Sequence, residues 1–120
     1  MKRVLVVDDS PTEQFVARSI LEKNGYQVSL ANSGEEGVAK AKAEKPDLIF
    51  MDIVMPGMNG FKAVRELSRD PATAAIPIIV LSSKDQEADM EWAKKQGAAA
   101  YLVKPAREPE MLAAIAMVGK

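Results

Sequence analysis

Apolar residues in this chain come in short unbroken runs, separated by longer stretches that mix polar and apolar positions. Val4-Leu5-Val6-Val7, Gln27-Val28-Ser29-Leu30, Asp47-Leu48-Ile49-Phe50-Met51, Ile76-Pro77-Ile78-Ile79-Val80-Leu81 and Ala99-Ala100-Tyr101-Leu102-Val103 are the strand candidates. Most are apolar throughout, as strands buried on both faces of a parallel sheet are. The intervening stretches carry helix punctuation. Ser10-Pro11-Thr12-Glu13 is a capping box with proline at the first helical position, and Gly25 marks that helix's exit. Ser33-Gly34-Glu35-Glu36 repeats the capping pattern, and Pro46 bars continuation past Lys45. A third helix is predicted from Asn59 or Gly60 to about Ser68, a fourth from about Lys84 to Gln96 ending at Gly97, and a fifth from Glu108-Pro109 onward.

Five strand-helix units in succession call for a parallel sheet with helices on both faces, joined by right-handed crossovers. Five strands are too few for an eight-fold barrel. The expected fold is therefore an open, doubly wound α/β sheet, most simply in strand order 2-1-3-4-5 with five flanking helices. With 120 residues and no visible linker, residues 1–120 are expected to form one domain.

Composition narrows the chemistry. Lys plus Arg is 16 and Asp plus Glu is 17, a net charge of −1, so there is no basic reservoir for binding nucleic acid. Cys and His are both 0, which excludes thiolate chemistry, imidazole metal ligands and histidine-based triads on this chain. Carboxylate, hydroxyl and amine chemistry remains. The run Val4 to Val7 is too short for a signal-peptide core or a membrane span, and a cytoplasmic location without membrane insertion is expected.

Ligands of an open α/β sheet bind beyond the carboxyl ends of the strands, where the strand order reverses. The strand-end residues are Asp8-Asp9 after the first strand, Asp52 after the third, Ser82-Ser83 after the fourth and Lys104 after the fifth. Neighbouring strands lie about 4.8 Å apart. Two like charges about 4 Å apart repel by ~4 kcal/mol at an effective dielectric of about 20. Three carboxylates there call for compensation beyond what Lys104 supplies. An all-oxygen donor set favours Mg²⁺, with Mn²⁺ as the alternative. A carboxylate is a nucleophile toward phosphoryl groups, and a cation, an ammonium and a hydroxyl are the partners that such transfer needs. With no His on the chain, the phosphodonor is expected on another molecule.

These residues resemble the receiver domain of bacterial two-component response regulators, along essentially the whole chain. Asp8-Asp9-Ser10 is similar to the family's acidic pair, and Asp52-Ile53-Val54-Met55-Pro56-Gly57-Met58-Asn59-Gly60 to its phosphoacceptor loop. Ser82-Ser83 and Lys104-Pro105 resemble its hydroxyl and lysine motifs, and Tyr101 its switch aromatic. The resemblance implies a flavodoxin-like three-layer sandwich and phosphorylation of Asp52. It implies Mg²⁺ held by Asp9, Asp52 and the backbone carbonyl of Val54, with Asp8 acting largely through water. It further implies that Ser82 and Lys104 contact the phosphoryl group, and that a cis Lys104-Pro105 bond aims the ammonium inward. Asn59 stands where many receivers have Asp. Ser10-Pro11-Thr12-Glu13, Asp52 to Pro56 and Lys84-Asp85-Gln86-Glu87 look most like small regulators of twitching motility.

The implied function is that of a switch rather than an enzyme. A partner histidine kinase would donate the phosphoryl group. Ser82 and Tyr101 would then shift and remodel the face made by the fourth helix, fifth strand and fifth helix. A downstream motility or signalling protein would read that face, with the chain a monomer or weak dimer. A phosphate sink and a phosphorylation-independent interaction module are the alternatives. A Mg²⁺-dependent aspartyl phosphatase fits less well, because its two carboxylates sit two residues apart after the first strand. A flavin carrier fails because Asp8-Asp9 would repel the cofactor's phosphate. Trp92, four residues after Ala88 on a polar helix, is expected to pack on the sheet. Met55 and Met58 are expected to pack within the loop.

Overall fold

The computed structural model describes residues 2–118. The elements alternate without exception: β1 (Arg3–Val7), α1 (Pro11–Lys23), β2 (Gln27–Ala31), α2 (Gly34–Glu44), β3 (Leu48–Met51), α3 (Gly60–Arg69), β4 (Ile78–Ser82), α4 (Glu87–Gln96), β5 (Ala100–Val103) and α5 (Glu108–Val118). The five strands pair in parallel in the order β2-β1-β3-β4-β5, the order expected from the sequence.

Period-two alternation divides the interior. Leu5, Val7, Ile49, Met51, Ile78 and Val80 point to the side covered by α2, α3 and α4, through Val38, Ala41, Ala63, Val64, Leu67 and Ala93. Val4, Val6, Leu48, Phe50, Ile79 and Leu81 point to the other side, against Ala17 and Leu21 of α1 and Met111, Ala114 and Ile115 of α5. Burial on both faces explains why these strands read as continuous apolar runs.

Most helices begin where the sequence indicates. Ser10, Ser33 and Asn59 cap α1, α2 and α3 by accepting hydrogen bonds from Glu13, Glu36 and Lys62 respectively. The exception is α4. Its expected start near Lys84 is replaced by an irregular turn, and the helix opens only after Gln86, which makes no side-chain capping bond. Lys84 lies ahead of the helix, its backbone N–H donating to the Ser82 hydroxyl at 3.3 Å. No helix among the described residues is long and apolar enough to cross a membrane.

Candidate functional site

Register brings distant residues to one edge of the sheet. Val7 lies beside Met51, so the next residues, Asp8 and Asp52, leave adjacent strands side by side. The Asp52 amide donates to the Val7 carbonyl at 2.9 Å and the Asp8 amide to the Ala31 carbonyl at 3.0 Å, which fixes both backbones. Ser82 pairs with Val103, and its carbonyl accepts the Lys104 N–H at 2.8 Å. Lys104 thus starts two strands away from Asp52, about 10 Å at ordinary strand spacing. The long, unbranched lysine side chain, the reach of the Asp52 carboxylate toward it and the 3.1 Å hydrogen bond between them together cover that span.

The result is a compact ionic cluster. One carboxylate oxygen from each of Asp8, Asp9 and Asp52 falls within a group whose members lie no more than 4.8 Å apart. The Lys104 ammonium donates to Asp8 Oδ2 at 2.7 Å and to Asp52 Oδ2 at 3.1 Å, while Glu13 Oε1 stands 3.9 Å away. Asp8 and Asp52 are buried and Asp9 is exposed. The second oxygens are also engaged: Asp8 Oδ1 accepts the Ser10 N–H at 2.9 Å, and Asp52 Oδ1 the Val54 N–H at 3.0 Å. Burial of the ammonium works against its charge, yet hydrogen bonds to Asp8 and Asp52 and their Coulombic pull prevail, and Lys104 is held above its ordinary value.

Three carboxylates against one ammonium leave the cluster with a formal charge of −2. Its donors are hard oxygens, and the chain has no imidazole or thiolate to offer. That donor set, with Asp9 facing solvent, fits a small divalent cation of the Mg²⁺ type.

The loop after Asp52 is packed rather than free. Met55 is buried, Met58 rests against the core, and the Met58 amide donates to Glu35 Oε2 at 3.1 Å. A Cβ added to Gly60 would overlap the Asp52 carbonyl oxygen and Ile53 Cα, so only glycine lets α3 start this close to Asp52.

The chain matches the family described as response regulator receiver domain over residues 4–116. It belongs to that family. It is 54% identical over 115 residues to Protein PilH of Pseudomonas aeruginosa, covering 96% of this chain and 95% of that one. Identity to Chemotaxis protein CheY of Thermotoga maritima is 40% over 120 residues, covering 99% and 98%. Among solved structures, Vibrio cholerae chemotaxis protein CheY4 superposes with a TM-score of 0.92 at 32% identity, covering 98% of each chain.

In this receiver domain the remaining residues singled out in the sequence lie around the cluster. Ser82 is fully buried at the end of β4, its hydroxyl turned to Lys84 N–H rather than to a carboxylate. The half-buried Tyr101 donates its hydroxyl hydrogen to the Lys84 carbonyl at 2.8 Å, tying β5 to the segment before α4. Burial, then the nearby charge of Asp89, raises its ionisation above the ordinary 10.0. The Val54 side chain is exposed, and the Lys104-Pro105 bond is cis.

Two features escaped the sequence. Gln14, buried in α1, donates from Nε2 to the carbonyls of Asp8 and Ala31 and to Asn32 Oδ1, pinning the turn that carries the acidic pair. A polar residue on the inward stripe of α1, beside Ala17 and Leu21, is the signal that could have found it. Trp92 does not pack on the sheet but is 51% exposed. Ala93 takes the inward position on α4 instead.

Proposed function

We propose that this chain is a single-domain response regulator that accepts a phosphoryl group on Asp52. The observation that supports this most is the Lys104 ammonium placed between Asp8 and Asp52, with Asp9 completing the acidic group. Asp8, Asp9, Asp52 and the Val54 carbonyl would hold Mg²⁺, which when bound offsets the negative charge of the site and of the incoming group.

The chain's own residues account for the rest of the transfer. An Asp52 carboxylate oxygen attacks the phosphorus of a phosphohistidine on a partner kinase, or of a small acyl phosphate. The new O–P bond forms as the P–N or P–O bond to the donor breaks, and the electron pair leaves with the donor. Lys104 exchanges its contact with Asp52 Oδ2 for a phosphoryl oxygen, and stays anchored by Asp8. The Ser82 hydroxyl, now held by Lys84 N–H, turns to donate to a second phosphoryl oxygen. That turn loosens the segment on which Tyr101 rests, so Tyr101 follows and the face of α4, β5 and α5 changes.

A downstream protein would read that face. Identity to Protein PilH and to Chemotaxis protein CheY supports placing the switch in pilus-based or chemosensory motility signalling. A cytoplasmic location follows from that reading. A phosphate sink shares the same chemistry and differs in having no phosphorylation-dependent partner.

The test is incubation with Mg²⁺ and an acyl-phosphate donor, then location of the adduct by peptide mass. The expected product is one phosphoryl group on Asp52, absent from Asp52→Ala. No adduct, or one that survives Asp52→Ala, would overturn the assignment.

A further inference from the structure

On the face of the molecule formed by α3 and α4, three features coincide that the phosphoacceptor chemistry does not use. α3 buries Ala63, Val64 and Leu67, and Lys62, Arg65 and Arg69 are exposed along its outer side. Spacings of three and four residues put these cations in a single row. Among the described residues none of the three makes an ion pair, whereas Asp70 beside them is engaged by Lys42 at 3.4 Å. Next to the row stands Trp92, the single tryptophan of the chain, half exposed where α4 crosses α3. The crossing is close, since a Cβ added to Gly97 would overlap Ser68. Between the helices runs a cleft of about 260 Å³ lined by Asn59, Phe61, Lys62, Arg65, Trp92 and Gln96. A wider depression of about 620 Å³ continues it past Arg65 to Arg69, with Glu66 and the Lys42-paired Asp70 also in its lining.

An indole left in water beside unpaired cations, on a chain of net charge −1, is a local reversal of the molecule's charge. Large aromatics and arginines are the side chains over which binding energy concentrates. We propose that this cleft docks a short acidic peptide segment of a partner protein, with a large apolar side chain against Trp92 and Phe61 and carboxylates along Lys62, Arg65 and Arg69. Charge complementarity favours a peptide over a nucleic acid. A few carboxylates match a row of three cations. A polynucleotide carries a charge at every phosphate along its length and would extend well beyond the three cations. The proposal stands apart from the phosphorylation of Asp52, which its test does not require.

Trp92 is its own reporter. Titration with a synthetic peptide of Asp and Glu around a central Leu-Phe pair is expected to change the tryptophan emission saturably. Replacing Leu-Phe by Gly-Ser, or the acids by Lys, is expected to abolish the change. The double variant Lys62→Glu/Arg65→Glu keeps the reporter and, both residues being exposed, the unfolding temperature; it is expected to bind about tenfold more weakly. Arg65→Gln is expected to fall between. No saturable change with the acidic peptide, equal binding by the charge-reversed variant, or tighter binding of oligouridylate than of the peptide would each overturn the proposal.

Discussion

At Asp9 the electrostatics of the site can be probed without disturbing its frame. Asp8 and Asp52 are buried and share the Lys104 ammonium, whereas Asp9 is exposed and has no such partner among the described residues. Asp9 therefore contributes repulsion when the site holds no cation and attraction when it does. Mg²⁺ is expected to raise the unfolding temperature, by about 2.7 kcal/mol of stability at a hundredfold excess over Kd. Asp9→Ala is expected to melt higher than the parent in chelator and to gain less from Mg²⁺. Thermal melts with and without the cation decide it. Val54 presents an exposed branched alkyl group two residues after Asp52 and can orient no water. Slow loss of the phosphoryl group is expected, and Val54→Asn is expected to shorten its lifetime, measured by decay of the labelled protein. At this scale the sequence told which residues meet but not how they pair. Strand-end positions placed Asp8, Asp52 and Lys104 at one edge. That Lys104 would bridge both buried carboxylates depends on side-chain conformation, which spacing does not encode.

Among the elements, α4 stands out as weakly secured. It buries Ala93 alone, while α2 and α3 each bury four residues. Its first turn carries Glu87 and Asp89 and its last Lys94 and Lys95, so the helix dipole is well matched. What it lacks is a cap, since Gln86 leaves the first amides to its own carbonyl alone. Gln86→Ser is expected to stabilise the protein by about 1 kcal/mol, roughly 4 °C in unfolding temperature. Amide exchange in α4 is expected to slow by more than in any other helix. The same missing cap explains why the sequence misplaced this helix's start. Ser10, Ser33 and Asn59 announce and cap their helices, whereas Asp85, a residue type that favours the N-cap, stands one position ahead of Gln86 and does not cap α4. Trp92 departs from its expected packing for a related reason: on a helix this polar, the single buried position, Ala93, is too small a signal to fix its phase.

For the whole molecule, alternation of strand and helix was enough to read an open, doubly wound parallel sheet, because each strand's apolar run is required by burial on both faces. The strand order rested in part on the resemblance to receiver domains. The two packed halves, by contrast, become visible only when successive residues are assigned to sides of the sheet. Global stability toward acid follows from surface carboxylates. The Asn32 amide holds the Glu36 carboxyl below its ordinary value, the Ala72 amide does so for Asp70, and Asn24 with Lys23 for Glu108. A depressed carboxylate adds stability above its unfolded value and loses it as pH falls through its folded value. Urea midpoints are therefore expected to hold near neutral pH and to decline below about 4.5. Glu108→Gln is expected to flatten part of that decline. Each contribution is small, as exposed groups require.

The position of β3 has a consequence for whatever reaches Asp52. The strand is central, with two neighbours on one side and two on the other, and helices cover both its faces. Asp52, 6% exposed at its tip, is open from the strand-end direction alone. A reactant must therefore enter end-on, carried on a projecting side chain or as a small free molecule. A group lying flush with a broad, flat protein surface would stop at the rim.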